Sequence, residues 1–388
     1  MKAYIETNLI VGEDKDKLNE HCLGGITFPV LTDRYTREGK RRKLRYILIS
    51  FGSFLLVTLV FILLFRAYQI YGRSRLQTSD GPDIVSLQAS ISELGLGDEY
   101  DEMPEDYLIY KGQLYKYNSN IMTFLILGID SHDGIGQEKR PIEAGQADVI
   151  ILAVLDEEAK TFKMINISRD IMVPIQTYDQ YGMYTGYHEM QLALQYAYGE
   201  GREHSIELME ETVSTLFYGI PIHGSGAMAM QAIEILNDAV DGVTLYVIED
   251  LSIVSPQLNY GNTITLIGSD ALHYVRYRNI DIFGSNYLRN ARQKQYILAF
   301  YHRIREKTRE NLTIPLRLYG IVKDHVLTSI TADQIAYLST AILGISFTEE
   351  DMVSVAGVIT KPDYHEEFRV DEEELIELII DIFYLEVR

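Results

Sequence analysis

Arg276 and Arg278 stand in the stretch Tyr274-Val275-Arg276-Tyr277-Arg278, and beyond Asp281 and Phe283-Gly284 come Arg289, Arg292 and Gln293. The chain carries a formal charge of −21, so this is a local concentration of cations in an acidic protein. Past Gly284 the pattern is helical, and Arg289, Arg292 and Gln293 fall at i, i+3 and i+4, on one face of the helix. Guanidinium groups at close quarters repel unless an anion lies between them, and their forked donors suit phosphate. A solvated helix face paired to local acids would use the same residues. The two readings separate on what else converges there.

Three apolar runs bear on that. Met122–Ile129, Val149–Leu155 and Phe162–Ile167 read as buried strands, and the short polar link Asp156–Lys160 favours an antiparallel hairpin between the last two. In an antiparallel meander, Asp130 ends the first strand, Asp148 begins the second and Arg169-Asp170 ends the third, all at one edge of the sheet. Two carboxylates beside arginines suit Mg²⁺ on a pyrophosphate, because Mg²⁺ takes one or two carboxylates and completes its shell with phosphate oxygens and water. Each aspartate taken alone is equally a strand-end cap, and Arg169-Asp170 equally a local ion pair.

Other chemistry has less support. Nine histidines are present, but no HExxH and no pair spaced for zinc, and Gly219–Gly226 lacks a phosphate-binding lysine and reads as a loop between helices. Met228–Leu236 is rich in small and flexible apolar residues, which serve either core packing or the wall of a lipid slot.

The elements that must hold these groups follow from pattern. Helices are predicted at about 188–198, 205–217, 226–239, 268–276, 286–307 and 331–343, and a last one at Asp371–Tyr384 with its acids in the first turn. Short strands are expected near 243–248, 263–267 and 352–357. The mixture predicts an α/β fold, a layered domain with a central mixed β-sheet flanked by helices.

Tyr46–Phe65 is an uncharged run of 20 residues, enough to cross a hydrocarbon core of ~30 Å, preceded by the basic stretch Arg37–Arg45. The expected organisation is a cytoplasmic tail over 1–45, a transmembrane signal anchor over 46–66, an extracytoplasmic stalk over 67–119, the catalytic domain over 120–310 and a C-terminal extension over 311–388. The expected location is the cell membrane, single-pass, with the N-terminus cytoplasmic. Residues 1–45 hold 10 Lys/Arg against 7 Asp/Glu, which leaves −24 for the remainder. A domain that acidic repels a phosphate backbone, so no nucleic-acid partner is expected. The one cysteine, Cys22, excludes a disulfide framework.

Several short segments, in order, resemble the LytR-CpsA-Psr family of cell-wall enzymes: Leu127–Ser131, Ala147-Asp148, Ile167–Asp170, Tyr196–Gly199, Asp241–Val243, Gly268–Arg278 and Asp281–Gln293. The resemblance implies an α/β domain that buries a polyprenyl chain beside its sheet. It implies transfer of a glycopolymer from a polyprenyl-pyrophosphate carrier to peptidoglycan, with release of polyprenyl phosphate. By the same resemblance Asp130 and Asp148 match the Mg²⁺-site aspartates, and Arg169, Arg276, Arg278, Arg289 and Gln293 match the residues that hold the pyrophosphate, with Arg292 in the same motif. Arg169, Asp170, Arg276 and Arg278 are the expected catalytic set, and the attacking hydroxyl's proton would go to Asp170 or to a metal aspartate. The chain departs from the family at Gln146 and His132, where arginine is usual, at Ser168, usually proline, and at Gln191-Leu192-Ala193, usually Lys-x-Asn. Arg140 or Lys139 could replace the missing cation. A pyrophosphatase, and a membrane-anchored binding or regulatory protein without turnover, are the rival readings.

Overall fold

A computed structural model describes residues 58–76, 81–97, 106–131, 134–279, 285–360 and 366–387, without the side chains of 285–287. His132, Asp281, Phe283, Gly284 and most of the acidic run 98–106 lie outside the described residues, as does the expected anchor through residue 57. The chain divides into Met1–Leu64 and Phe65–Arg388. In the first unit residues 58–64 are helical. Among the described residues no helix is long and apolar enough to cross a membrane.

In the second unit, the three apolar runs form β3 (Ile121–Asp130), β4 (Gln146–Asp156) and β5 (Thr161–Ile167), an antiparallel meander at the centre of a six-stranded mixed sheet. Beside β3 lies β8 (Gly224–Ala229), parallel to it, and then β11 (Val326–Thr328). At the other edge β12 (Met352–Ser354) runs parallel to β5. Strand alternation gives the sheet two apolar faces. Leu125, Leu127, Ile129, Ile150, Leu152 and Ile165 face one layer, built from α2 (Ile84–Glu93), α3 (Ala193–Tyr198), α4 (Glu203–Leu216) and α10 (Glu372–Phe383). Each such side chain taken out of water contributes about 1.5–3 kcal/mol. On the opposite face Met122, Phe124 and Phe162 pack with Tyr301 of the long α7 (Ser285–Glu310), Tyr337 of α9 (Ala332–Ala341) and Phe347. A separate core joins β9 (Val243–Tyr246), β10 (Thr263–Leu266), α6 (Ser269–Arg276) and α8 (Ile314–Val322) to α7.

Three expectations are corrected. Residues 67–119 are no stalk over their described part. Ile84, Leu87 and Ile91 of α2 are buried in the main core with Leu108 of β1 (Tyr107–Tyr110), and β2 (Gln113–Tyr117) pairs with the C-terminal β15 (Tyr384–Glu386). Gln88 fixes this piece by accepting from the Ile109 amide at 2.8 Å. The helix expected over 226–239 is the strand β8 followed by α5 (Gln231–Ala239), because small residues let Gly224–Ala229 insert between β3 and β11. The helix expected from 188 begins at Ala193. Before it, β6 (Met172–Tyr178) and β7 (Tyr184–Gln191) form a hairpin that leaves the sheet edge just past Asp170.

Candidate functional site

The site is built at the end of β3 and the start of β4, where the pairing changes register. Gly128 pairs with Val149, but Ile129 pairs with Ala147, so Asp148 is an extra residue with no partner across the ladder. Such a bulge turns its side chain to the same face as its neighbour's. Asp148 and Val149 accordingly both line the face of the sheet that α7 covers, where Asp130 also stands. Gly128 suits this close approach, since a Cβ on it would lie 3.0 Å from the Cβ of Val149 and press on that side chain.

Arginines from three elements close on these carboxylates. Arg169, past the end of β5, forms an ion pair with Asp148, donates to Gln146 Oε1 at 2.8 Å and lies 3.5 Å from Asp170 Oδ1. Arg276, the last residue of α6, reaches Asp130 Oδ1 at 3.3 Å. Arg289 on α7 is brought among Arg278, Arg169 and Asp148. Gln293, one turn on, donates to the Val275 carbonyl at 3.1 Å and so ties α7 to the end of α6.

Arg292 departs from the expected phosphate-binding set. Its side chain is 1% exposed, it forms an ion pair with Glu249 at 2.9 Å and it donates to the Tyr274 and Tyr277 carbonyls. Successive helical residues are turned by about 100°, so Arg292 and Gln293 cannot both face the sheet. Arg289 and Gln293 face it, and Arg292 faces away to hold the C-terminal end of α6. Its cation sits where the helix leaves unbonded carbonyls.

Beneath the charged groups lies a cavity of about 540 Å³ between the sheet, α5 and α7. Asp130, Asp148, Arg276, Arg289 and Gln293 line it together with apolar groups that include Ile126, Ile151, Met228, Ile233, Leu236 and Phe300. Five of the nine residues of the Met228–Leu236 segment thus serve as cavity wall. The site is a pocket with an apolar body and a zwitterionic rim, suited to a ligand with a long apolar part and an anionic head.

Burial perturbs the charges. Arg289 is held below the usual guanidinium range, first by desolvation and then by the positive charge of Arg278 and Arg169. Asp148 is raised by burial, against the pull of Arg169, with the charge of Asp130 adding to the rise. Asp170 is raised chiefly by burial, with Arg169 opposing and Glu366 and Asp148 adding to it. Cations crowded in a partly dry place lower their energy by binding an anion. The paired carboxylates Asp130 and Asp148 are hard oxygen donors in the number Mg²⁺ takes when phosphate completes its shell. Their mutual repulsion, which contributes to the rise at Asp148, is the charge a cation would relieve.

The sequence marks Gln146 and Gln191 only as departures from the family pattern, and the parts they play were missed. Gln146 occupies the position of a missing arginine and orients Arg169. Gln191, the last residue of β7, donates to Asp170 Oδ1 at 3.0 Å and to the Glu366 carbonyl at 2.8 Å, fixing Asp170 from the hairpin side. Neither type announces itself in a sequence. Arg140 is turned to Glu143, at 2.9 Å, and so does not stand in for the missing cation. The remaining shared segments are scaffold. A Cβ on Gly199 would meet Ser205 Oγ at 2.2 Å, and Asp241 receives Lys307 and Arg303 of α7.

The LytR_cpsA_psr family model matches residues 99–378. TagU of Oceanobacillus iheyensis, named a polyisoprenyl-teichoic acid–peptidoglycan teichoic acid transferase, is 28% identical over 232 residues, covering 60% of this chain and 66% of that protein. TagV of Bacillus subtilis, which bears the same enzyme name, is 28% identical over 238 residues, 56% of each chain. The match therefore spans just under two thirds of one curated relative and about half of the other. Among solved structures, Bacillus subtilis TagV superposes with a TM-score of 0.52 at 22% identity, over 68% of this chain and 96% of that one. Protein gbs0355 from Streptococcus agalactiae gives 0.54 at 22%, over 68% and 87%. These likenesses establish a common fold. With the family model covering 99–378, most of its length, the chain belongs to the LytR-CpsA-Psr family.

Proposed function

We propose that this protein transfers a glycopolymer from a polyprenyl-pyrophosphate carrier to peptidoglycan and releases polyprenyl phosphate. One observation carries the reading: an apolar cavity whose mouth holds Asp130, Asp148, Arg276 and Arg289, with Arg169 and Arg278 against them. The prenyl chain lies in the cavity and the pyrophosphate at its rim. Asp130 and Asp148 would hold Mg²⁺, which when bound supplies positive charge to neutralise the pyrophosphate.

A sugar hydroxyl of the wall attacks the phosphorus next to the glycan. The bond from that phosphorus to the bridging oxygen breaks, and the bridging electrons leave with the lipid phosphate. Arg169, Arg276, Arg278 and Arg289 hold the charge that gathers there, already in place before reaction. The hydroxyl proton passes to Asp170, whose raised proton affinity and tether to Gln191 suit a base. The run Tyr46–Phe65 anchors the chain in the cell membrane with the basic stretch Arg37–Arg45 on the cytoplasmic side, which keeps the cavity near its lipid.

The test is to incubate the purified chain with a polyprenyl-pyrophosphoryl glycan, peptidoglycan fragments and Mg²⁺. Polyprenyl phosphate should appear together with glycan-bearing wall fragment, and Asp148→Ala or Arg276→Ala should remove both. Release without joining would indicate a pyrophosphatase, and lipid binding without release a binding protein.

A further inference from the structure

Apart from Gln191 at its base, the hairpin β6–β7 takes no part in the chemistry above, yet it starts at the site and carries an unusual surface. At its base Met172 pairs with Gln191, whose side chain holds Asp170. From there the outward face runs through the pairs Pro174–Glu189, Gln176–Tyr187 and Tyr178–Tyr184. Six residue steps at ~3.4 Å put its far end roughly 20 Å from the base. A register shift near that end brings Tyr184 and Tyr187, three apart in sequence, into ring contact. The Tyr178 and Tyr184 rings lie 5.8 Å apart and those of Tyr184 and Tyr187 6.1 Å apart, all edge to face. Tyr184 and Tyr187 are 53% and 58% exposed.

The surface is backed by fixed structure. Buried Gln195 accepts from the Gln176 amide at 2.8 Å and donates to the Gln176 carbonyl at 3.1 Å. Thr212 of α4 donates in turn to Gln195 at 3.1 Å. Glu211 accepts from the Gln176 side chain at 2.7 Å and lies 3.4 Å from the Tyr187 hydroxyl. Exposed rings on a rigid support, rimmed by carboxylates and amides, mark a recognition surface. Its charge selects the partner. Residues 172–191 contain Asp179 and Glu189 but neither lysine nor arginine, and Arg369, which reaches Glu189, is also turned to Glu367. An anionic polymer is repelled, whereas a neutral polysaccharide offers ring faces to the tyrosines and hydroxyls to the carboxylates.

We infer that the outward face of the β6–β7 hairpin, through Tyr178, Tyr184, Tyr187, Gln176 and Glu211, binds an uncharged polysaccharide strand and leads it to Asp170. Resting on the proposed transfer reaction, this makes the hairpin the track for the acceptor and leaves the anionic donor at the arginine rim.

The probes are an N-acetylglucosamine tetrasaccharide and poly(glycerol phosphate), titrated calorimetrically into the full chain. The tetrasaccharide should bind and poly(glycerol phosphate) should not compete. Tyr184→Ala and Tyr187→Ala should each weaken the tetrasaccharide about tenfold, or ~1.4 kcal/mol. The Phe variants at both positions should stay near wild type, as should Tyr260→Ala on a remote exposed ring. Unchanged affinity in both Ala variants, or preference for the anionic polymer, overturns the inference. Polyprenyl phosphate release by the wild type, followed in parallel with peptidoglycan fragments present, tests the transfer reading alone. Tyrosine-dependent saccharide binding without that release would sink the transfer reading and keep the surface.

Discussion

Arg292→Met separates structure from chemistry within one arginine cluster. The substitution removes a guanidinium that is 1% exposed and leaves Glu249 and the Tyr274 and Tyr277 carbonyls without their donor. Breaking a buried ion pair by deleting one partner costs about 3–5 kcal/mol. Glu249 keeps 19% of its side chain exposed, so water compensates in part and the lower end, about 3 kcal/mol, is expected. At ~2–4 °C per kcal/mol for a large domain, the unfolding midpoint should fall by roughly 6–12 °C. Adding Glu249→Gln should recover part of the loss, because the stranded charge goes with it. Arg276→Met breaks a pair between half-exposed groups, worth about 0–1 kcal/mol, so its midpoint should hardly move while lipid-phosphate release disappears. The assay is thermal unfolding of the purified chain beside the release reaction, the latter run well below both midpoints. A normally stable Arg292→Met protein with abolished release would refute the assignment and return Arg292 to the substrate.

Three further outcomes are expected. His223 is half-buried, and desolvation holds it at about 4, below its usual 6.5, so the unfolded chain takes up a proton that the folded one refuses. Stability should therefore fall by about 3 kcal/mol as pH drops from 6.5 to 4, and a urea-unfolding series should show that slope disappear in His223→Gln. Asp170 is raised by burial, so its charged form costs stability as pH climbs from the ordinary 3.8 through the folded value. Asp170→Asn should thus be more stable than wild type at neutral pH while transferring glycan far more slowly, which paired unfolding and transfer assays would show. Ile233→Trp should fill part of the cavity and weaken a long-chain polyprenyl pyrophosphate by about 2 kcal/mol, roughly thirtyfold, leaving a short soluble pyrophosphate ester unaffected in a binding titration.

The meander was legible because its three runs are long, apolar and joined in part by a polar link too short for a crossover. That alone brings Asp130, Asp148 and Arg169 to one edge. The bulge that aims Asp148 was not legible, since it is a property of two strands paired and leaves no mark in either one. Gly224–Ala229 reads as helix because small residues fit either state, and only the gap between β3 and β11 makes it a strand. The i, i+3, i+4 spacing of Arg289, Arg292 and Gln293 grouped them on one face, but α7 packs against apolar matter on two sides. Which arginine faces the cavity depends on where α6 docks, a tertiary fact. The Ile84, Leu87, Ile91 stripe of α2 was visible in the sequence. The turn residues Ser79-Asp80-Gly81-Pro82 before it and the acidic stretch Asp98–Asp106 after it nonetheless resemble a linker.

In the proposed reaction the phosphorus next to the sugar leaves with the glycan. A donor carrying ³²P only in the phosphate next to the sugar, incubated with the purified chain, peptidoglycan fragments and Mg²⁺, tests it most directly. Label should appear in the wall fragment, joined through a phosphodiester, with an unlabelled polyprenyl phosphate in equal amount. Label remaining with the lipid, or glycan joined to the wall without phosphorus, would contradict it.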